Sequence, residues 1–282
     1  MENVFLRKRV RNSPAYILAI LVSLLAIFPI LWAISSALKS PQQQYQWPPQ
    51  LVPWPIYLGN FSRLFEIMPM GRYLVNSTTI SVLSMVGMCI SSSMAAYAFA
   101  RLHFRGRDLL FGVLLATMMI PYAITMIPTF LIFSRLKLVD TYIPLIAPNW
   151  LGSAFMVFLL RQAYMAIPQE LVDAAKLDGA SHFHIFLRIF VPLTMPTMVT
   201  VALLQFLFSW NDLLGPLIYI NNPDLYTVQR GLSLLLGRAG TGIDRRGISM
   251  AGALLGMVPM LALYIFGQRY FISGLTRSGL KG

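Results

Sequence analysis

Long apolar runs alternate along this chain with segments rich in charged residues, proline or glycine. Each run is long enough for a helix of about 20 residues, which is the length that crosses the hydrocarbon core of a bilayer. The runs cover residues 15–38, 73–100, 108–133, 143–165, 192–220 and 249–273. The pattern therefore predicts an all-α membrane protein with six transmembrane helices and with both termini on the same side of the membrane.

The composition excludes an ordinary soluble domain. Of the 282 residues, 57% are hydrophobic and only 11% are charged, whereas charged residues usually make up about 25% of a soluble domain. The first apolar run is also longer than the core of a signal peptide, which has up to about 15 apolar residues. We interpret it as an uncleaved span. Because no linker marks a second soluble domain, residues 1–282 are expected to form a single integral membrane unit.

Basic residues outnumber acidic ones by 22 to 10, which gives a net charge of +12. In a six-span topology the N-terminal tail, residues 101–107, residues 161–188 and the tail after residue 269 lie on one side, and all are rich in Lys and Arg. Cytoplasmic segments carry such an excess, so this side and both termini are predicted to be cytoplasmic. The connections 39–72 and 221–247 then lie outside, the second as a glycine-rich loop. Since topology explains the charge, the expected surroundings are membrane lipid, with no nucleic-acid partner.

The cytoplasmic segment 166–190 carries the most specific local signals. Pro168 suits the first position of a helix, Glu170 favours the positive N-terminal end, and Gly179 is a natural left-handed stop. These signals predict a short helix over residues 168–178.

A second helix is predicted after this bend. Ser181 is suited to cap it, the helix runs to about Phe190, and Pro192 is expected to open the fifth span. The result is two short helices joined by a glycine bend and held between two spans at the cytoplasmic surface.

Such a segment suits docking to another protein. Ala174, Ala175 and Ala180 give the bend little side-chain bulk, so a partner could approach the backbone closely. Glu170 and Asp173 are three residues apart and share a helical face, for which a basic pocket is the expected complement. An amphipathic connector whose charges are only solvated explains the pattern equally well.

The motif Asp173-Ala174-Ala175-x-x-Asp178-Gly179-Ala180 resembles the EAA loop of ABC importer permeases, with Asp173 in place of the usual Glu. Further matches extend over most of the chain: Asn76-Ser77, Met119-Ile120-Pro121, Ile127-Pro128, Ser209-Trp210-Asn211-Asp212, Pro192 with Pro196, and the C-terminal run from Gln268 to Thr276. The chain thus resembles the carbohydrate-uptake subfamily of binding-protein-dependent permeases, which includes the maltose permease subunit MalG.

The resemblance implies the type I ABC importer permease fold, with a core transmembrane domain over residues 72–269 and a coupling loop over 166–190. It implies a non-catalytic subunit in a bacterial inner membrane that carries an oligosaccharide, a disaccharide or a glycerol-type solute. The implied partners are a second, MalF-like permease, an extracytoplasmic sugar-binding protein and a cytoplasmic ATPase dimer. ATP and Mg²⁺ would bind to those ATPases, and no cofactor to this chain.

In that family the EAA helix sits in a cleft of the ATPase and transmits its closure to the spans. The residues that the resemblance and the shared helical face assign to this contact are Glu170, Asp173, Ala174, Ala175, Asp178, Gly179 and Ala180. By the same resemblance, residues 275–282 would lie against the ATPases, and the outer loop 221–247 would reach toward the bound sugar.

Asp212 is the only acidic residue well inside a predicted span, where it costs about 2.5–3.5 kcal/mol on insertion scales. Such a residue is a functional candidate, and with Trp210, Asn211 and Asn76 it forms a candidate substrate pathway. The following Gly215-Pro216 allows the helix to be interrupted. The alternative is a structural Asp whose hydrogen bonds hold the helix break.

Two other classes of function are less well supported. A stand-alone secondary transporter or channel would carry several intramembrane ionisable groups or an inverted repeat, and this chain shows one such group and no repeat. An intramembrane enzyme needs an acid and base pair or a metal cluster. His182 and His184 are about 200° apart around a helix, so no metal site or catalytic residue is predicted.

Overall fold

The computed structural model describes residues 13–237 and 245–279, and over these residues it contains helices and no strand. The α-helices are, in chain order, α1 (Ser13–Ala37), α2 (Gly59–Ile67), α3 (Met70–Arg101), α4 (Arg107–Ala116), α5 (Tyr122–Arg135), α6 (Ala154–Met165), α7 (Gln169–Leu177), α8 (Met195–Asn211), α9 (Leu214–Tyr219), α10 (Val228–Gly237) and α11 (Arg245–Gly279). Shorter helical turns cover Gln43–Tyr45, Thr117–Met119, Ile143–Ile146, Ala147–Leu151, His182–Ile185, Phe186–Phe190, Val191–Leu193 and Pro223–Leu225. The basic N-terminal cluster, residues 238–244 of the outer connection and the last three residues of the C-terminal tail lie outside the described residues.

Several helices are long and apolar enough to cross a bilayer. They are α1, α3, α11 and the helical stretch over residues 143–165. Two bent pairs also qualify: residues 107–119 meet residues 122–135 at 99°, and residues 182–193 meet residues 195–211 at 80°. The described part of the chain therefore has four candidate spans, or six if each bent pair is one span.

The bend in the third apolar run is set by Pro121. This residue adopts an extended backbone (φ −61°, ψ 139°), as does Ile120 before it (φ −84°, ψ 113°). Proline has no N–H to donate, and its ring disfavours helical geometry in the preceding residue. The helix therefore stops at Met119 and restarts as α5.

Two predicted boundaries are wrong. Pro192 does not open the long helix of the fifth run, because it lies in the turn Val191–Leu193; α8 begins at Met195 after the 80° bend and has Pro196 in its first turn. The outer connection 221–247 is not a loop throughout, since α10 occupies Val228–Gly237 and α11 begins at Arg245. The glycine content of this connection favoured a loop, but its apolar residues repeat with the period of a helix. Val228 and Leu235, two turns apart on α10, are both buried.

The chain folds as two compact units, of which the first comprises the described parts of residues 1–70 and 232–255. In this unit the residues after α1 cover its C-terminal carbonyl groups. Asn60 Nδ2 donates hydrogen bonds to the carbonyl oxygens of Ala37 and Lys39, both at 2.8 Å, and Gln44 Nε2 donates to that of Ser36 at 2.7 Å. These side chains supply the donors that the last turn of a helix lacks, so the segment that follows α1 forms an ordered cap on it.

The second unit comprises residues 71–231 and the described part of residues 256–282. One hydrophobic core cluster of this unit includes the buried side chains of residues 166–190, the segment predicted to be cytoplasmic. Its centre is Phe190, which packs edge-on against Tyr97 and Tyr164 with ring centroids 5.1 and 5.4 Å apart. Edge-on aromatic pairs of this kind stabilise a core beyond their area burial, and here they connect α3 and α6 to the turn Phe186–Phe190.

Asp140 fastens the connection between α5 and the turn Ile143–Ile146 to the end of α9. Its Oδ1 accepts hydrogen bonds from the backbone N–H groups of Asn221 (2.5 Å) and Asn222 (2.9 Å), and its own N–H donates to the carbonyl oxygen of Tyr219 at 2.8 Å. The two accepted hydrogen bonds, that from Asn221 first, lower the pKa of Asp140 below its ordinary value of 3.8.

We expect this connection to loosen in acid. A carboxylate whose pKa is lower in the folded than in the unfolded state stabilises the fold fully above the unfolded pKa, which is near the ordinary value of 3.8. This stabilisation is lost as the pH falls through the folded pKa. Hydrogen exchange should therefore show that the protection factors of the Asn221 and Asn222 amides decrease below about pH 4. Asp140→Asn keeps an acceptor oxygen without the charge. In this variant the protection of the Asn221 and Asn222 amides should therefore not depend on pH in this range. The same pH dependence in both proteins would contradict the assignment.

Candidate functional site

The cytoplasmic segment predicted over residues 166–190 contains a short helix close to the expected bounds. Helix α7 runs from Gln169 to Leu177, one residue inside the predicted range at each end. Pro168 is the cap before the helix (φ −57°, ψ 140°) and not its first helical residue, which corrects the prediction by one position. Glu170 lies in the first turn, where a negative charge is favoured by the helix dipole.

The helix ends at Gly179 through hydrogen bonds typical of a Schellman motif. Gly179 N–H donates to the carbonyl oxygen of Lys176 at 3.0 Å, and Ala180 N–H donates to that of Ala175 at 2.9 Å. Gly179 has φ +79°, so the predicted left-handed stop is confirmed. Ser181 accepts a hydrogen bond from His184 N–H at 3.3 Å, as expected for the cap of the next helical turn.

The residues assigned to the docking surface are brought together on α7 and its bend, but they do not all face outward. Glu170, Asp173, Ala174, Asp178 and Gly179 are exposed. Two further members of the set, Ala175 and Ala180, are half-buried and pack against the aromatic core described above, as does the buried Val172. The five exposed members of the set therefore contribute carboxylates and small groups to a face on which Lys176 is also exposed.

The two most exposed apolar side chains on this surface were missed by the sequence reasoning. Leu177 is 90% exposed at the end of α7, and Phe183 is 62% exposed after the bend. Both lie beside residues that had been assigned for their charge or small size. Both side chains are available for burial against a partner protein.

A third missed residue, Gln169, orients one of the carboxylates. Its Nε2 donates a hydrogen bond to Asp173 Oδ1 at 3.0 Å. The i, i+4 spacing of the two residues was the available signal, because such pairs are neighbours on a helix surface. Asp173, which the resemblance assigns to the EAA position, is thus held by a side chain of its own helix.

The predicted interruption near Asp212 is present. Helix α8 ends at Asn211, α9 begins at Leu214, and Asp212 Oδ1 accepts a hydrogen bond from Gly215 N–H at 3.0 Å. A β-carbon on Gly215 would overlap the Asp212 carboxylate and lie 2.8 Å from Leu145 Cδ2. The half-buried carboxylate therefore caps α9, and glycine is required where the two approach.

The other candidate pathway residues contact different elements. Trp210 is buried, stacks on Phe206 with ring centroids 5.5 Å apart, and donates from Nε1 to the carbonyl oxygen of Gly256 at 3.1 Å. Asn211 is exposed and donates to the carbonyl oxygen of Leu207 at 3.0 Å within α8. The indole of Trp210 is thus covered in this conformation, and the pathway role of both residues stays a prediction.

Asn76 anchors the start of the connection 221–247 to α3. Its Nδ2 donates to the carbonyl oxygens of Asp224 (2.9 Å) and Tyr226 (3.0 Å). Beside it, Arg72 forms an ion pair with the Asp224 carboxylate, and Ser77 Oγ accepts from Val228 N–H at 2.8 Å. The amide nitrogen of Asn76 is therefore hydrogen-bonded to the protein itself and needs no solute as a partner. Its place in a substrate pathway also stays a prediction.

A partly buried chain of three polar side chains links α8, the turn Ala147–Leu151 and α3, and the sequence reasoning did not identify it. Gln205 Nε2 donates to Asn149 Oδ1 at 3.0 Å, and Asn149 Nδ2 donates to Ser84 Oγ at 3.2 Å.

Within residues 13–237 and 245–279, no three side chains of His, Cys, Asp or Glu lie close enough together to hold a metal ion. The chemistry that the exposed α7 surface offers is binding through charge and apolar contact.

Comparison with known proteins finds transport permeases that are similar to this chain over nearly its full length. The chain is 37% identical over 264 residues to the arabinooligosaccharides transport system permease protein AraQ of Halalkalibacterium halodurans, which covers 93% of each chain. It is 30% identical over 270 residues to the sn-glycerol-3-phosphate transport system permease protein UgpE of Pectobacterium atrosepticum, which covers 94% of this chain and 95% of that one.

Solved structures share the fold. A bacterial ABC transporter involved in the import of the acidic polysaccharide alginate matches with a TM-score of 0.82 at 22% identity, over 94% of this chain and 98% of that chain. The alginate transporter in complex with an alginate pentasaccharide-bound periplasmic protein matches with a TM-score of 0.64 at 20% identity, over 93% and 94%. A sequence profile described as binding-protein-dependent transport system inner membrane component matches residues 87–277. With that match and the identity to AraQ, the chain belongs to the family of binding-protein-dependent transport system inner membrane components.

Proposed function

We propose that this permease carries an oligosaccharide, a disaccharide or a related glycerol-type solute across the bacterial cytoplasmic membrane, driven by ATP hydrolysis on separate subunits. The observation that carries the proposal is its near full-length similarity to permeases named for arabinooligosaccharides and for sn-glycerol-3-phosphate. The chain itself is the membrane path and the coupling element, and ATP and Mg²⁺ bind to its partners.

The proposed topology has six spans, with each bent pair counted as one. Both termini and the segment 166–190 then lie in the cytoplasm. Support comes from the basic residues of the α3–α4 connection, at 101, 105 and 107, and from those of the segment 161–188, because a Lys and Arg excess in short loops marks the cytoplasmic side. Helix α4, at 10 residues and thus about 15 Å, is too short to cross the bilayer without α5.

The proposed docking site for the ATPase dimer is the exposed surface of α7 and its bend. Glu170 and Asp173 supply negative charge, and the apolar side chain of Leu177 is exposed in the isolated chain. A cleft that buries Leu177 and carries basic residues on its rim would match both features. The backbone bend at Gly179 fixes the angle at which this surface is presented.

Two more partners complete the proposed importer: a second, MalF-like permease subunit and an extracytoplasmic sugar-binding protein. Support for the binding protein is the fold similarity to an alginate transporter seen with its periplasmic protein. In the proposed topology, the outer connection that begins at Asn221 and includes α10 faces that protein. Asn76 and Arg72 hold this connection to the outer end of α3.

Reconstitution with the native partners tests this function. The complex is placed in lipid vesicles and supplied with binding protein loaded with arabino-oligosaccharides, maltose or sn-glycerol 3-phosphate. We expect one solute class to stimulate ATP turnover and to enter the vesicles only when ATP and binding protein are both present. Uptake by vesicles that contain this chain without ATPase subunits would contradict the proposal and identify a stand-alone transporter.

A further inference from the structure

We propose that Arg101 is the positioning residue that joins the α7 coupling surface to the membrane helices, and that force on α7 reaches α3 through this side chain. The inference rests on the proposed coupling role of α7. Arg101 is the last residue of α3, and its guanidinium group contacts three elements of the second unit.

The first contacts are with the backbone between α6 and α7. Arg101 Nη2 donates to the carbonyl oxygen of Tyr164 at 2.7 Å and also to that of Ile167. The last carbonyl groups of a helix have no partner within it and carry partial negative charge. Arg101 therefore caps the C-terminal end of α6 at the point where the chain turns into α7.

The next contact is with α7 itself. Arg101 Nη1 donates to Gln169 Oε1 at 2.7 Å. Since Gln169 Oε1 accepts from the arginine, its Nε2 points to Asp173 Oδ1, to which it donates at 3.0 Å. One continuous set of hydrogen bonds thus links the end of α3 to the carboxylate at the EAA position.

A third contact holds the guanidinium plane in place. The Arg101 Cζ atom lies 5.0 Å from the centroid of the Phe190 ring, within the range of a cation–π contact. Phe190 is fully buried at the centre of the aromatic core. Arg101 therefore lies where α3, the end of α6, the start of α7 and the turn Phe186–Phe190 meet.

These contacts require arginine in particular. The guanidinium group is planar and offers several N–H donors in a fixed fork, whereas the lysine ammonium is a compact charge on a flexible stem. Lysine at this position can bond to one or two of the acceptors but cannot keep Gln169 and both carbonyl groups aligned. The remaining attachment of α7, through the buried Val172 and the half-buried Ala175, is apolar and non-directional.

The test compares Arg101→Met, Arg101→Lys and the control Arg105→Met in the complete importer. Arg105 is exposed in the same connection, so its replacement removes the same charge without these contacts. Three quantities are measured: ATPase retained per permease, ATP turnover, and solute transported per ATP. A role in folding alone would lower the amount of complex but would not change the transport ratio.

We expect Arg101→Met to retain the ATPase and its turnover while solute transported per ATP falls about tenfold, the size expected from losing a hydrogen bond to a charged group. Arg101→Lys should recover part of the ratio, and Arg105→Met should match the wild type. A normal ratio in Arg101→Met, or an equal fall in Arg105→Met, would overturn the proposal. So would loss of ATPase attachment in step with transport, which would make Arg101 a docking or folding residue.

This result is separable from the coupling role of α7. Asp173→Lys changes the proposed docking surface directly, and it should reduce the retained ATPase. If Asp173→Lys keeps both the ATPase and transport, the docking assignment fails. A reduced amount of retained ATPase in Asp173→Lys together with a normal transport ratio in Arg101→Met would overturn the Arg101 proposal alone.

Discussion

Replacing Gly179 with valine should release the ATPase subunits from this permease. Gly179 has φ +79°, and a left-handed backbone costs a residue with a β-carbon about 1–2 kcal/mol. Branching at the β-carbon adds to that cost. Relief of the strain requires the bend to open, which breaks the hydrogen bonds from Gly179 and Ala180 to the end of α7. Since about 1.4 kcal/mol changes an equilibrium tenfold, the ATPase retained per purified permease should fall by at least that factor.

Two further variants isolate the bend as the cause. Gly106 also has a left-handed backbone (φ +82°), and at both glycines a β-carbon would meet no atom within 4 Å. Gly106→Val therefore introduces the same strain in another connection, and it should keep the ATPase. Gly179→Asn should keep it too, because asparagine tolerates this conformation. Equal losses in Gly179→Val and Gly106→Val would mean that the docking surface was assigned to the wrong bend.

The bend was predictable because its determinants are neighbours in the sequence. A glycine stop, a serine cap and an acidic residue in the first turn act within about one helical turn of the groups that they satisfy. Arg101 was not predictable in this way. Its acceptors lie 63, 66 and 68 residues further along the chain, so only the packed structure shows that they converge.

The membrane helices also have some features that were predictable from the sequence and others that were not. The apolar runs predicted where helices occur, and Gly215-Pro216 predicted one place where a helix is interrupted. The bend angles of 99° and 80° were not predictable, because proline sets where a helix can stop while tertiary packing sets the direction in which it continues. Pro192 illustrates this: the helix break falls two residues later, at Thr194, between the turn Val191–Leu193 and α8.

Asp212→Ala should lower transport while leaving the ATPase attached. The alanine variant removes the acceptor of the Gly215 N–H, and an unsatisfied buried backbone donor costs about 1–3 kcal/mol. Helix α9 then loses its cap, and its far end, Tyr219 with Ile220, packs in a core with Leu145 and Ile80. Because that core connects α9 to α3, loosening the cap should disturb the spans and reduce solute uptake about tenfold. The α7 surface is built from other residues and should bind the ATPase normally.

Asp212→Asn separates the cap from the charge. Asparagine keeps the Oδ1 acceptor, so if capping is the role of this residue, transport should stay near the wild-type level. Gly215→Ala should resemble Asp212→Ala, because its β-carbon would displace the carboxylate. If instead Asp212→Asn loses transport as fully as Asp212→Ala, the negative charge itself acts on the solute path. In that case the carboxylate, the one acidic group well inside a predicted span, has a role that its hydrogen bond to Gly215 does not explain.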